Sequence, residues 1–153
     1  VTLIEDADRG FPDDEDSPGP TLVSHASLEE MASWFDGLTA DAMRERLRPN
    51  LVIDGVPAFW EDRLFAASGR VPFEIGGVRF EGVNPCQRCV VPSRDPATGE
   101  MIPGFQKRFA EMRERTLPVW SARERFNHFY RATLNTVAAP GEVGKLLTAE
   151  NRD

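Results

Sequence analysis

The chain has few of the residues on which metal and redox sites usually depend: two cysteines, two histidines and one tyrosine among 153 residues. A small secreted domain held by disulfides would need several cysteine pairs, so that class is excluded. The two histidines, His25 and His128, stand alone in their segments, without the paired spacing of a zinc site. Any metal or redox chemistry is therefore expected at the one segment that holds both cysteines.

Long apolar runs and nucleotide-binding glycine motifs are missing as well. No stretch approaches the roughly 20 continuous apolar residues that cross a bilayer, and no charged-then-apolar leader opens the chain, which predicts a soluble, cytoplasmic protein. The sequence contains neither G-x-G-x-x-G nor a P-loop pattern, so no nucleotide site is expected. A net charge of −7 also argues against nucleic acid as a partner.

The length and a hydrophobic content of 41% predict one domain over residues 1–153 with a core of its own. Residues 6–20, DADRGFPDDEDSPGP, are predicted to form an exposed acidic loop after a short strand, Val1–Ile4. Most basic residues lie at positions 44–48 and 107–131. A local anion-binding pocket is therefore compatible with an acidic chain.

The spacing of apolar residues predicts three helices. The first begins at a capping box, Ser27 with Glu30, and ends at Gly37. The second lies between Thr39, as its cap, and Pro49, which stops it. The third is predicted from its apolar face, which carries Phe105, Phe109 and Met112.

Extended segments alternate irregularly with these helices. Strands are predicted at residues 21–24, 51–53, 71–75, 78–83, 126–137 and 145–148, the last two being C-terminal strands within 126–148. The pair Gly76-Gly77 predicts a tight hairpin turn, and Val90 and Val91 are predicted to be extended before a turn at residues 95–99. The pattern predicts a β-rich α+β fold with a mostly antiparallel sheet or barrel and a few peripheral helices.

Both cysteines lie in one run, Asn84-Pro-Cys86-Gln-Arg88-Cys89. A thiolate is a strong nucleophile and a soft metal ligand, and Arg88 is placed to favour the ionised form. Three other interpretations stay open from these residues alone: a redox dithiol, although residues 90–92 do not start the helix that a thioredoxin-like site needs; a structural zinc site, which lacks two ligands; and two packed thiols at a strand end.

Four motifs in order resemble those of the MOSC domain, the C-terminal module of molybdenum-cofactor sulfurases that also occurs in the mitochondrial amidoxime-reducing component and its bacterial relatives. They are RPNLVIDG at 48–55, Glu61-Asp62, PCQRC at 85–89 and DPATG at 95–99. The segment LVSHASL at 22–28 is similar to the strand-to-helix segment of the same family. The likeness covers the core motifs over residues 22–99, with a fainter similarity at 126–144.

This resemblance implies a β-rich fold that binds a molybdopterin-type cofactor, with molybdenum held by the dithiolene and one protein thiolate. By position in the motif, Cys89 matches the metal ligand and catalytic residue of the reductase members. Arg48 and Asn50 match residues near the cofactor, and the resemblance adds three further candidates for cofactor contact: Ser24, Cys86 and Arg88. Molybdenum favours a soft thiolate, and a phosphorylated pterin suits a guanidinium that makes paired hydrogen bonds.

Purely structural roles stay open for several of these residues. Arg48 also suits the C-terminal end of a helix, where a cation answers the dipole. Asn50 is a common turn residue, and Ser27 is already explained as a cap. Glu61-Asp62 is equally typical of a solvated face. The isolated histidines receive no catalytic role.

The resemblance implies a molybdenum-dependent oxidoreductase that reduces a small N-hydroxylated or N-oxide substrate. The alternative is a non-catalytic sulfur carrier or cofactor-docking module that acts with a partner protein. The chain has no ferredoxin-like cluster motif and no aminotransferase-like region, so an electron-donor or sulfur-donor protein is expected. The preceding β-rich subdomain of the two-domain family members would have to lie upstream of Val1.

Overall fold

The computed structural model describes residues 14–142 and 144–148. In this part of the chain there are three α-helices, α1 (His25–Ser33), α2 (Ala40–Leu47) and α3 (Phe105–Arg115). Five strands accompany them: β1 (Leu22–Ser24), β2 (Leu51–Ile53), β3 (Val71–Ile75), β4 (Val78–Gln87) and β5 (Arg131–Ala138). The predicted strand Val1–Ile4 and the first half of the predicted acidic loop lie outside the described residues.

The five strands form one curled, mixed sheet in the order β2-β1-β5-β4-β3. β1 and β2 pair in parallel, whereas the β1–β5, β5–β4 and β4–β3 pairs are antiparallel. The prediction of a β-rich α+β fold with a mostly antiparallel sheet is therefore confirmed, and the sheet closes only to a half-barrel. The hairpin at Gly76-Gly77 is also confirmed, with Ile75 paired to Val78.

Buried side chains pack against both faces of the sheet. Because side chains alternate along a strand, Val23 points to a cluster under the helices while Leu22 points to the opposite cluster. The helix side contains Leu28, Met31, Met43, Phe105 and Phe109 among other residues. The opposite side contains Leu64, Phe65, Phe126 and Leu134. The helices therefore pack on one face of the sheet.

The start of α1 differs from the prediction. Ser24 is the N-cap, and its hydroxyl accepts a hydrogen bond from the Ser27 amide at 3.1 Å. The prediction of a capping box at Ser27 is wrong, because β1 stays extended up to Ser24 and the helix begins at the next residue. The Ser27 hydroxyl instead accepts the backbone N–H of Phe59 at 2.6 Å. The second predicted cap is confirmed, since Thr39 Oγ1 accepts the Ala42 N–H at 3.2 Å.

Three predicted extended segments are absent or shorter. Val90 and Val91 are not extended, because Ser93 bonds back to the Val90 carbonyl and starts a 3₁₀ turn at Val91–Ser93. Within the described residues 144–148 there is no strand, and Lys145 bonds to Glu142 instead of a strand edge. The strand predicted over 126–137 begins only at Arg131. In each case local contacts outweigh β propensity.

Glu61 and Asp62 are both 3% exposed, so their interpretation as a solvated face is wrong. The Asp62 carboxylate accepts two hydrogen bonds from Arg113 Nη2, at 2.8 and 2.6 Å. Burial raises the pKa of the Glu61 carboxyl, and hydrogen bonding from the Ser27 hydroxyl acts against that rise. Within the described residues the Oε2 atom of Glu61 has no hydrogen-bond partner.

The elevated pKa of Glu61 gives a pH dependence of stability. The folded protein holds this proton more tightly than the unfolded chain, so stability falls as pH rises from the ordinary value of 4.5 through the elevated pKa. We expect Glu61→Gln to flatten this fall, leaving stability near pH 4 little changed and raising it at higher pH. Urea denaturation of both proteins at several pH values measures the difference. An identical pH slope in wild type and variant would contradict it.

No helix in the described part of the chain combines the length and apolar character needed to span a bilayer.

Candidate functional site

A cavity of about 1270 Å³ opens between the C-terminal end of α2, the end of β4 and the segment that precedes β1. This volume exceeds the few hundred to about 1,000 Å³ typical of small-molecule sites, so it is large enough for a bulky cofactor. The residues with polar, charged or thiol side chains on its walls are Asp14, Glu15, Ser17, Thr21, Arg46, Arg48, Asn50, Cys86, Gln87, Arg88, Cys89 and Asn135. The end of the acidic segment thus lies on the same cavity as three arginines.

Arg48 reaches the cavity from the end of α2. It is the C-cap residue, in the left-handed conformation with φ 52° and ψ 49°, and its N–H bonds the Arg44 carbonyl at 2.7 Å. The left-handed residue turns the chain out of the helix ahead of Pro49. Arg48 is therefore both a cation at a helix C-terminus and a side chain on the cavity wall.

Asn50 links the loop after α2 to the chain ahead of β1. Its Oδ1 accepts hydrogen bonds from the Thr21 amide at 2.9 Å and from the Thr21 hydroxyl at 3.0 Å. These bonds orient the side-chain amide, which also lies on the cavity wall. Asn50 therefore both stabilises the turn after α2 and lies on the cavity wall.

The two cysteines lie on the same cavity but in different surroundings. Cys86 is half-buried near the end of β4, whereas Cys89 lies two residues beyond β4 and is exposed. Both are free thiols. Arg88 Nη1 donates to Cys86 Sγ at 3.1 Å, and Arg88 Nη2 donates to the Leu47 carbonyl at the end of α2. The guanidinium therefore contacts the first thiol of the motif and ties the motif to α2.

Ser24 is not brought to the cavity. It is fully buried, its hydroxyl bonds Ser27 at 2.7 Å, and it caps α1. The predicted cofactor contact of Ser24 therefore has no support in the lining of the cavity. His25 is also elsewhere, paired with Glu29 at 3.5 Å.

Three residues near the cysteines were missed from the sequence. Arg46 and Asn135 line the cavity, and the phenol of Tyr130 lies close to Arg88 and Cys89. The pKa of Tyr130 is raised to about 12. Burial is the largest cause of this rise; the charge of Arg88 acts against it, and the charge of Cys89 adds to it. Tyr130 and Asn135 gave no signal because they lie in a distant part of the chain that only the β4–β5 pairing brings to the cysteines.

Cys86 lies opposite an irregularity in β5. Pro85 pairs with Leu134 and Gln87 pairs with Arg131, so two residues of β5 face the single residue Cys86. One of the two, Thr133, has φ 66°, a rare conformation for a β-branched residue. Such a bulge redirects side chains at the end of a strand. It marks the place where β4 turns from the sheet into the cysteine motif.

The side chains around the cavity suit a metal-containing cofactor that itself supplies most of the ligands of the metal. Across residues 14–142 and 144–148, no three His, Cys, Asp or Glu side chains cluster so as to hold a metal ion. Cys89 provides one exposed soft donor, and Arg48 and Arg88 provide cationic hydrogen-bond donors on the same cavity. A metal bound at Cys89 would therefore take its other ligands from a non-protein group that carries negative charge.

Comparison with known proteins covers the cavity walls formed by residues 21 onward. A family model described as MOSC domain matches residues 21–144. A Molybdenum cofactor sulfurase of Caenorhabditis elegans is 30% identical over 105 residues, which is 69% of this chain and 13% of that protein. A Molybdenum cofactor sulfurase of Caenorhabditis briggsae is 34% identical over 84 residues, 55% of this chain and 11% of that protein. The chain thus spans only a small part of either relative.

Proposed function

Because this chain belongs to the MOSC domain family, we propose that it binds a molybdopterin-type cofactor in the cavity between α2 and the end of β4. A function related to the molybdenum cofactor is supported by the family match and by the names of both relatives. The observation that carries the proposal is geometric. Cys89 is exposed on a cavity that also carries Arg48 and Asn50, although these residues come from different elements.

The residues present fit such a cofactor. Cys89 would hold molybdenum through its thiolate, which is the kind of soft ligand that this metal favours. Arg48 would make paired hydrogen bonds to the cofactor phosphate. Asn50 uses its amide oxygen to bond Thr21, so its amide nitrogen is the group that would donate to the cofactor. Arg88, fixed by Leu47 and Cys86, adds positive charge on the same wall.

The activity we favour is reduction of an N-hydroxylated or N-oxide substrate. The bound cofactor supplies a metal that exchanges two electrons and an oxygen atom. For a hydroxylamine, the N–O bond breaks, two electrons and two protons are taken up, and an amine and water are released. Two cysteines cannot provide the four thiolates of an ordinary iron–sulfur cluster, so a partner protein would deliver the electrons. We propose that residues 1–153 act as one domain in this reaction.

A second candidate function is a sulfur carrier or cofactor-docking module. It is favoured by the names of both relatives and by the presence of two free thiols on one cavity. In this case a thiolate of the chain attacks the terminal sulfur of a persulfide on the donor protein. The donor leaves as a thiolate, and the acceptor cysteine carries one extra sulfur atom to its target.

Molybdenum retention tests the proposed ligand. Protein produced with molybdate should contain molybdenum by elemental mass spectrometry, and Cys89→Ser should lower the content by more than about tenfold, since even residues that only support metal ligands contribute 10–100-fold to affinity. Cys86→Ser is the matched control and should retain most of the metal. Equal molybdenum in wild type and Cys89→Ser would refute the assignment of the ligand.

Two further assays separate the candidate functions. A reductase should convert a hydroxylamine with an artificial electron donor and lose that activity in Cys89→Ser. A sulfur carrier should instead show the mass of one added sulfur on a cysteine-containing peptide, with no molybdenum retained.

A further inference from the structure

Arg46 is a charged residue in an unusual place. It lies on α2 but is only 5% exposed, whereas arginine is rarely buried unless it is paired. Its guanidinium extends to the segment that follows the cysteines. Nη1 donates to the Pro92 carbonyl at 3.3 Å and Nη2 donates to Asp95 Oδ2 at 3.3 Å. Arg46 therefore joins α2 to the chain on the C-terminal side of Cys89.

Arg88 makes the reverse connection. It comes from the cysteine motif and donates to the Leu47 carbonyl at the end of α2, while its other Nη atom contacts Cys86. Arg88 precedes Cys89, and the acceptors of Arg46 follow it. The two guanidinium groups, which we call the arginine clasp, thus hold the segment around Cys89 to α2 on both sides.

Backbone hydrogen bonds orient the Asp95 carboxylate that meets Arg46. Its Oδ1 accepts the backbone N–H groups of Ala97 at 3.0 Å and Thr98 at 2.9 Å. The hydrogen bond from Thr98 has the largest effect in lowering the pKa of the Asp95 carboxyl, followed by the bond from Ala97; the charge of Arg46 lowers it further. The turn at 95–99 therefore presents an ionised, oriented carboxylate whose second oxygen meets Arg46.

Other contacts also hold the two parts of the chain that the clasp joins. α2 is already held in the core by Met43 and Leu47, which are 0% and 1% exposed. The turn at 95–99 is closed by its own backbone bonds, including Gly99 N–H to the Asp95 carbonyl at 2.8 Å. What the clasp adds is the placement of Cys89 relative to Arg48, which lies two positions after Arg46 at the end of α2.

We propose that Arg46 is a positioning residue that, with Arg88, sets the spacing between the Cys89 thiolate and the Arg48 guanidinium. The inference rests on the proposed function, since this spacing matters for a cofactor that contacts both groups. Both Nη atoms of Arg46 bond Pro92 and Asp95, so we assign Arg46 a role through these residues and not through its own contact with the cofactor. Its buried Nε atom has no hydrogen-bond partner within the described residues.

Arg46→Met tests the proposal, because methionine keeps most of the apolar stem and removes both hydrogen bonds. In the cofactor-free protein, we expect amide hydrogen exchange over residues 88–99 to become about tenfold faster, with α1 and β5 unchanged. The melting temperature should change little, because the Asp95 side chain is 39% exposed and keeps its backbone hydrogen bonds, so its carboxylate is not left buried without a partner. Asp95→Asn should produce the same local effect. Arg44→Met, an exposed neighbour on the same helix, should produce none.

With cofactor, Arg46→Met should lower molybdenum content by about 10–100-fold, as for other residues that orient metal ligands, and shift the thiolate-to-metal absorption bands of whatever metal remains. Unchanged exchange at 88–99, or faster exchange throughout α1 and β5, would overturn the positioning role. If even the wild type retains no molybdenum, the proposed function fails, while the exchange result still decides whether the clasp holds Cys89 in place.

Discussion

Replacing Asp62 with alanine is expected to lower the free energy of unfolding by about 3 to 5 kcal/mol, the usual effect of leaving one buried charge without its partner. Arg113 is 1% exposed, and Asp62 is the carboxylate that neutralises it. The guanidinium also lies over the rings of Phe59, at 4.1 Å, and Phe126, at 5.0 Å. In the variant these contacts would remain, but the buried positive charge would have no counterion among the described residues.

Urea denaturation of wild type and Asp62→Ala measures this loss. Asp41→Ala is the matched control, because it removes an exposed ion pair with Arg44 at 3.6 Å and should cost less than about 1 kcal/mol. The double variant Asp62→Leu with Arg113→Met should recover much of the stability, since it removes both charges and refills the space. A loss for Asp62→Ala no larger than that of the control would refute the argument.

Gly82→Ala is expected to have a comparably large effect, about 3 kcal/mol or more, through steric overlap. Gly82 lies in β4 where the chain at Leu64 approaches the strand directly. A Cβ atom at position 82 would lie 1.8 Å from the Leu64 carbonyl oxygen and 2.9 Å from the carbonyl carbon. Both are backbone atoms, so relief requires a shift of the main chain. Because β4 continues to Cys86, such a shift would also move the cysteine motif.

Gly37→Ala provides the comparison for this prediction. Gly37 has φ 74°, and a Cβ atom there would meet open space. Alanine at this position should therefore lower the free energy of unfolding by only about 1 to 2 kcal/mol, the cost of holding a non-glycine residue in the left-handed conformation. Thermal and urea unfolding of the two variants would separate overlap from backbone conformation. Equal losses in both would show that the approach of Leu64 to β4 is not a steric limit.

Local signals were sufficient to predict the elements whose ends depend on neighbouring residues. Thr39 caps α2, the pair Gly76-Gly77 joins β3 to β4, and the apolar spacing of Phe105 and Phe109 marks α3. The cap of α1 could not be predicted in this way, because Ser24 and Ser27 are both serines at suitable positions. Which of them caps the helix depends on where β1 ends, and its pairing with β2 keeps Ser24 extended.

The candidate site was predicted in part. The motifs single out Arg48, Asn50, Cys86, Arg88 and Cys89, and the structure places all five on one cavity, while their roles stay predictions. Ser24 was chosen from its neighbourhood in the motif, and burial keeps it from the cavity. Arg46 was seen only as part of a basic stretch, since a sequence does not reveal that a carbonyl at Pro92 and a carboxylate at Asp95 would receive its guanidinium.

Residue order alone thus specified the family, the types of the main elements and the motif that carries the thiols, because these depend on residues within a few positions of one another. Folding settled the rest: which thiol Arg88 contacts, that Arg46 and Asp95 meet, and that the Arg88 N–H bonds the Tyr130 carbonyl. Hydrogen bonds and ion pairs act over about 3 to 4 Å. Groups separated by dozens of residues reach such distances only when the sheet and α2 are assembled, so no local pattern could reveal them.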